Sequence, residues 1–180
     1  MKKIILFTLL VSSLFAEATV YVGSGYANYS ETLNSTGHTT SDNSATLKIG
    51  YGDRKAYAIE FSLEYIDMGS AALDFKSKYG FNISLLKSFD WDIYVLPYVK
   101  AGFGAGKRDS STNPSVKTLS YGSYNFGMGM FLPLSEDWDV EVGYEYRNIS
   151  YASDSSVSVN DGNYERSQVN IAYLGLNYRF

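Results

Sequence analysis

Eight stretches of this chain alternate apolar and polar residues with a period of two, and that pattern constrains the fold more than any other feature of the sequence. The clearest is 56–66, where Tyr57, Ile59, Phe61, Leu63 and Tyr65 share one face and Ala58, Glu60, Ser62 and Glu64 the other. Such a period belongs to strands, whose successive side chains point to opposite faces. Stretch 75–86 sets Tyr79, Phe81, Ile83 and Leu85 against Lys76, Lys78, Gly80, Asn82 and Ser84. In 138–147, Trp138, Val140, Val142, Tyr144 and Tyr146 oppose Asp139, Glu141, Gly143, Glu145 and Arg147. Stretches 45–51, 93–105 and 120–132 repeat the pattern less sharply, and the last runs from about 166 to Phe180. In the first, 19–29, the face stays open, because Val20, Val22 and Tyr26 compete with Tyr21, Ala27 and Tyr29.

The connections alternate in length. Polar stretches at 30–44, 67–74, 107–119 and 149–165 are long, and the turns at 52–55, 87–92 and 133–137 are short. Each strand is near the roughly 9–11 residues that a tilted strand needs to cross a bilayer. Residues 1–18 read as an export signal: Lys2 and Lys3, an apolar middle from Ile4 to Leu14, and Ala16-Glu17-Ala18 as the cleavage site. The expected mature domain is 19–180. Its final alternation, Ala172, Leu174, Leu176, Tyr178 and Phe180, ends on an aromatic, as the closing strand of a membrane barrel does.

Composition narrows the classes further. There is no cysteine, so disulfides, thiolate chemistry and lipoprotein acylation are excluded. Without Lys2, Lys3 and Glu17 the 15 basic and 19 acidic residues fall to 13 and 18, a net −5 that argues against nucleic acid. The polar face carries Gly50, Gly80, Gly102, Gly104, Gly127, Gly129, Gly143 and Gly175. A water-facing sheet gains nothing from these, whereas a narrow lumen needs small residues beside long ones. The expectation is all-β: an eight-stranded antiparallel transmembrane β-barrel with short periplasmic turns and long extracellular loops. Tyr51, Trp91, Trp138, Tyr178 and Phe180 are expected in one aromatic girdle and Tyr29, Tyr65, Tyr124 and Tyr146 in the other. Pro97 should sit at a bulge or near the periplasmic rim.

Three runs carry a family resemblance: Leu96-Pro97-Tyr98-Val99-Lys100-Ala101-Gly102-Phe103-Gly104, Leu134 to Arg147, and the ending Gly175-Leu176-Asn177-Tyr178-Arg179-Phe180. They resemble the small outer-membrane barrel family, which includes outer membrane proteins A and X and the opacity-type adhesins. The resemblance spans about residues 19–180 and implies location in the bacterial outer membrane. It also implies insertion by the barrel assembly machinery, with Leu176, Tyr178 and Phe180 as the C-terminal insertion signal. The resemblance does not extend to the peptidoglycan-binding domain that follows the barrel in outer membrane protein A, so anchoring to the cell wall is not expected.

On the expected lumenal side stand Glu60, Glu64, Asp139, Glu141 and Glu145 with Lys48, Lys76, Lys78, Lys100, Arg147 and Arg179. Ions in a narrow interior are tolerated when paired, and this set is nearly balanced. A hairpin closing around residue 70 places Glu64 opposite Lys76 and Lys78 diagonal to Glu60. Two roles follow, a polar plug or a gated low-conductance path of the kind the resemblance implies.

Enzymatic readings fare worse. The only histidine, His38, lies in a Ser/Thr/Asn/Gly tract near Asp42, a poor setting for a catalytic triad that needs rigid positioning. Lipid A modification through His38 is the weakest of the functional readings. Gly102 to Lys107 superficially resembles a phosphate loop but lies on a strand, and Arg108 replaces the Ser/Thr. The acids Asp67, Asp74, Asp109, Asp154 and Asp161 lack calcium-loop spacing. No catalytic or metal residue and no cofactor is expected. The favoured function is structural or adhesin-like, through the external loops of a monomer, with outer-membrane lipids, lipopolysaccharide and host or neighbouring cell surfaces as partners.

Overall fold

The computed structural model describes residues 18–35, 37–68, 75–110, 119–152 and 166–180. Eight strands form one closed antiparallel barrel: β1 (Thr19–Leu33), β2 (Thr39–Gly52), β3 (Tyr57–Asp67), β4 (Phe75–Ser88), β5 (Leu96–Ser110), β6 (Leu119–Pro133), β7 (Trp138–Tyr151) and β8 (Arg166–Arg179). Each strand pairs with its sequence neighbour, and β8 closes against β1 from Tyr21↔Arg179 to Leu33↔Ser167. Closure leaves no edge strand, which is what allows a sheet to cross hydrocarbon with every ladder bond made.

Side-chain orientation follows the expected inversion. Phe61, Ile83 and Val142 are exposed on the outer wall, while Glu60, Lys78 and Glu141 are buried inside. The same holds for Leu47, Leu63, Phe103 and Met128. Thus the greasy wall faces out and the ionic one faces in. In β1 the open choice resolves with Val20, Val22 and Tyr26 outward and Tyr21 and Ala27 inward. Tyr29 is also inward and completely buried, so it belongs to the lumen and not to the outer girdle where the sequence reading placed it. Tyr65, Tyr79 and Tyr124 do face out at that level.

Several strands outrun the sequence reading. Residues 30–44, expected as loop, are mostly ladder: pairing of β1 with β2 continues to Thr32↔Thr39, whose hydroxyls lie 2.8 Å apart. The chain turns at 34–38, with Gly37 at φ 65°. Above the membrane a strand no longer needs an apolar outer face, so a period sought in hydrophobicity stops before the strand does. Pro97 is the second residue of β5, at the periplasmic rim, opposite Met130 in an unbroken register.

The register of β3 and β4 differs from the expectation by four residues. Glu64 lies opposite Gly80, and Lys78 opposite Ile66. Glu64 therefore does not face Lys76, whose side chain lies outside the described residues. The expected signal segment 1–17 also lies outside them.

Candidate functional site

Among the described residues the fold concentrates its charged and hydrogen-bonding side chains in the lumen, which is layered along the barrel axis. At the periplasmic end Tyr21, Ala58, Leu86, Leu96, Tyr98 and Phe131 form an apolar cluster. At the opposite end a second cluster includes Ala27, Tyr29, Ile66, Met68, Tyr121, Ile149, Tyr151 and Val169. The ionic network fills the space between.

Four of the lumenal tyrosines have a glycine as their direct cross-strand partner: Tyr21↔Gly50, Tyr98↔Gly129, Tyr121↔Gly106 and Tyr173↔Gly143. A Cβ placed on Gly50 would come within 2.1 Å of the Tyr21 ring, and one on Gly143 within 2.4 Å of Tyr173. No side chain but hydrogen fits under these rings. The ring lies down over the glycine backbone, which brings its hydroxyl to the charges at the axis.

In the middle layer Lys48 pairs with both Glu60 (3.2 Å) and Glu141. The Tyr21 hydroxyl donates to Glu60 at 3.1 Å, and the Tyr98 hydroxyl and Asn177 amide donate to Glu141 at 2.5 and 3.1 Å. Above this, Lys100 pairs with Glu145 at 2.7 Å, and Arg147 links Glu145 (2.7 Å) to Glu64 (2.5 Å). The void left among these groups is about 50 Å³. That is room for a few waters at most, since one water centre needs roughly 10–15 Å³.

Each end carries a further ion cluster. Lys78 donates to the hydroxyls of Tyr29 (2.7 Å) and Tyr151 (2.8 Å) and pairs with Glu31 at 3.2 Å. Glu31 also accepts from Tyr151 at 2.6 Å and Ser167 at 2.5 Å. The Lys78 ammonium lies 4.7 Å from the centre of the Tyr121 ring, a cation–π contact in a dry site. At the periplasmic mouth Asp139 accepts from Arg179 at 2.7 Å and pairs with Arg54, which reaches over from the β2–β3 turn.

The structure thus brings together most of the residues singled out from sequence: Lys48, Glu60, Glu64, Lys100, Glu141, Glu145 and Arg147 in the central ionic network. Lys78 and Arg179 stand apart from that network, each in its own end cluster. Sequence reasoning missed Glu31, Arg54 and the buried Arg108. Carrying the alternation of Tyr29 onward to Glu31 and Leu33 finds the first of these; Arg54 belongs to a turn and leaves no periodic trace. At the seam, Leu176 and Phe180 face outward, and Tyr178 packs its ring 5.0 Å from both Trp138 and Phe180.

His38 is exposed in the β1–β2 turn, its carbonyl accepting from the Leu33 amide at 3.0 Å. Asp42, its nearest acid in sequence, is instead buried on the lumenal face of β2. Among the described residues no three His, Cys, Asp or Glu side chains gather as metal ligands would.

Solved structures of several outer-membrane proteins share this fold. The neisserial surface protein NspA superposes with a TM-score of 0.74 at 16% identity, over 91% of this chain and 99% of that one. Ail, the attachment invasion locus protein of Yersinia pestis, crystallised with the heparin analogue sucrose octasulfate, gives 0.61 at 20% identity, over 91% and 99%. The outer membrane protein OprG of Pseudomonas aeruginosa gives 0.56 at 16% identity, over 90% and 96%. No curated protein matches by sequence. These likenesses establish the fold, and the sequence itself supplies the family: residues 4–180 match the outer membrane protein beta-barrel domain. The chain belongs to the outer membrane protein beta-barrel domain family.

Proposed function

We propose that this protein is a non-enzymatic, closed outer-membrane barrel, exported by its N-terminal signal, which acts as a rigid stem presenting its extracellular strand ends and loops to other surfaces. The observation that carries the reading is the lumen. Two clusters of buried tyrosines and aliphatic side chains bracket an ion-pair network with about 50 Å³ of void, so among the described residues the interior holds the wall together and is filled by side chains. An eight-strand barrel is just wide enough for side chains to fill. What remains free to vary is the outward end, where strands of 14–15 residues overshoot the roughly 9–11 that hydrocarbon requires.

The fold shared with Ail makes sulfated glycan the first surface chemistry to test. Purified barrel in lipid nanodiscs is expected to bind immobilised heparin, and to lose that binding when residues 111–118 and 153–165 are replaced by short Gly/Ser linkers while gel mobility still shifts on boiling. Retained binding by the shortened barrel would remove the loops from the proposal. Planar-bilayer recording should be silent.

One observation favours a second reading, a gated pore. Lys48 is shared between Glu60 and Glu141, so a switch of partner is stereochemically available. Steady conductance steps that change in Lys48→Met would replace the closed stem with that pore.

A further inference from the structure

The outer wall is uneven above its aromatic girdle. On β1, β2 and β3 the outward positions at this level are Thr32, Thr39, Ser41, Asn43 and Asp67, with no base among them. On β5 to β8 the outward set contains Lys107 and Arg166, both exposed. Lys107 pairs in register with Ser120, whose carbonyl accepts from the Ala152 amide at 2.9 Å. Arg166 pairs with Ser150, which in turn pairs with Gly122. The two cations therefore stand three strand spacings apart, about 14 Å around the wall.

Between them the wall is hollow. Ser120, Gly122, Tyr124, Asn148, Ser150 and Ala152 line a groove of about 450 Å³. A Cβ on Gly122 would meet nothing within 4 Å, unlike the lumenal glycines that tyrosine rings cover. Glycine in a strand weakens it unless something approaches closely, and among the described residues no atom comes within 4 Å of where its Cβ would stand. The floor offers hydroxyl and amide groups, and Tyr124 offers an aromatic face at the level where hydrocarbon gives way to head groups. Asp109 lies on the same face of β5, two residues beyond Lys107 at the outer end of the strand.

We propose that this groove seats the phosphorylated disaccharide head of one lipopolysaccharide molecule in the outer leaflet. Lys107 and Arg166 hold a phosphate at either side, Ser120, Ser150 and Asn148 meet sugar hydroxyls, and Gly122 leaves room for the ring above Tyr124. Charge complementarity selects the occupant: two separated cations flanking a neutral hydroxyl floor match a sugar phosphorylated at both ends better than a single-phosphate glycerolipid. Arginine and lysine bind phosphate through charge-assisted bonds, arginine in bidentate fashion. The assignment rests on the reading that the long-loop end of the barrel faces outward.

The test uses the folded full-length mature barrel in detergent micelles, with bis-phosphorylated lipopolysaccharide as the probe and retained adducts counted by native mass spectrometry. One bound molecule is expected for the wild type. The double variant Lys107→Gln/Arg166→Gln should weaken binding by at least about tenfold, the equivalent of one lost charge-assisted contact. Gly122→Phe, which fills the groove without changing charge and whose Cβ meets nothing within 4 Å, should do the same. Enzymatically dephosphorylated glycolipid and phosphatidylglycerol should bind no better than the double variant does. Wild-type affinity in either variant, or equal binding of phosphatidylglycerol, overturns the site. Boiling-dependent gel mobility shows that each variant is folded. Bilayer conductance separates this outcome from the closed-stem reading, because a conducting barrel that still retains the glycolipid leaves the groove intact.

Discussion

The two ends of the lumen solve the same problem with different parts. Each has an aromatic and aliphatic cluster, and each buries a carboxylate, Glu31 at the extracellular end and Asp139 at the periplasmic end. Glu31 is held entirely from the wall, by Lys78 of β4, Tyr151 of β7 and Ser167 of β8. Asp139 is held by Arg179 of β8 and by Arg54, which hangs from a turn, retains 18% side-chain exposure, and also donates to the Ser135 and Glu136 carbonyls at 3.3 Å. Ladder bonds fix the first set, so Lys78 reaches water only if the wall opens. Arg54 can be hydrated by movement of its turn alone. The periplasmic closure is therefore the weaker of the two, although Asp139 has two arginines as partners.

Removing one partner at each end measures that difference. Lys78→Met takes from Glu31 its ion-pair partner in a dry site, leaving the Tyr151 and Ser167 hydroxyls and the more distant Arg108 charge, and breaking a buried pair in this way costs about 3–5 kcal/mol. The urea midpoint of unfolding from phospholipid vesicles should fall accordingly, and adding Glu31→Gln should restore much of the loss, because the orphaned charge is the source of the cost. Arg54→Ala is the matched experiment at the other end. Asp139 keeps Arg179, and the lost partner is partly solvated, so about 1–2 kcal/mol is expected once screening is allowed for. Equal costs for the two variants would mean that attachment to a strand or to a turn makes no difference to how a buried carboxylate is held.

The same contrast explains what the sequence could disclose. Where hydrocarbon dictates one face, as along Tyr57–Tyr65 or Trp138–Tyr146, period two exposes the strand and its inward charges together, so Glu60, Glu64, Glu141 and Glu145 were legible. Once the wall leaves the membrane that constraint lapses, and Glu31 and Arg108 look like loop residues because nothing apolar alternates with them. Register was hidden for another reason. The connection of β3 to β4 carries no two-residue turn signal of the Asn-Gly kind, so the pairing of Glu64 with Gly80 had to come from the ladder itself. The glycines showed which face was crowded, but not that Tyr21 covers Gly50, since those positions meet only after pairing is known. Arg54 was invisible because its partner is 85 residues away across the mouth of the barrel.

The smallest effect tests the solvated limit of the comparison. In the periplasmic turns Lys55 and Asp90 form an ion pair at 2.8 Å with both side chains well exposed, and Asp90 also accepts from the Asp92 amide at 3.1 Å. The Lys55 hydrogen bond, followed by that amide, holds the Asp90 carboxyl below the usual aspartate value. A carboxyl depressed in the folded state contributes stability above its unfolded pKa and loses it as pH falls through the folded one. Asp90→Asn should therefore be slightly less stable than wild type at neutral pH, with the difference closing in acid below the ordinary aspartate range and shrinking in molar salt. Carboxyl-carbon NMR titration in micelles gives the direct reading: Lys55→Gln should move the Asp90 midpoint up toward its ordinary value. A midpoint that stays where it was would assign the depression to the Asp92 amide alone, and the exposed pair would then hold its carboxylate less firmly than the turn backbone does.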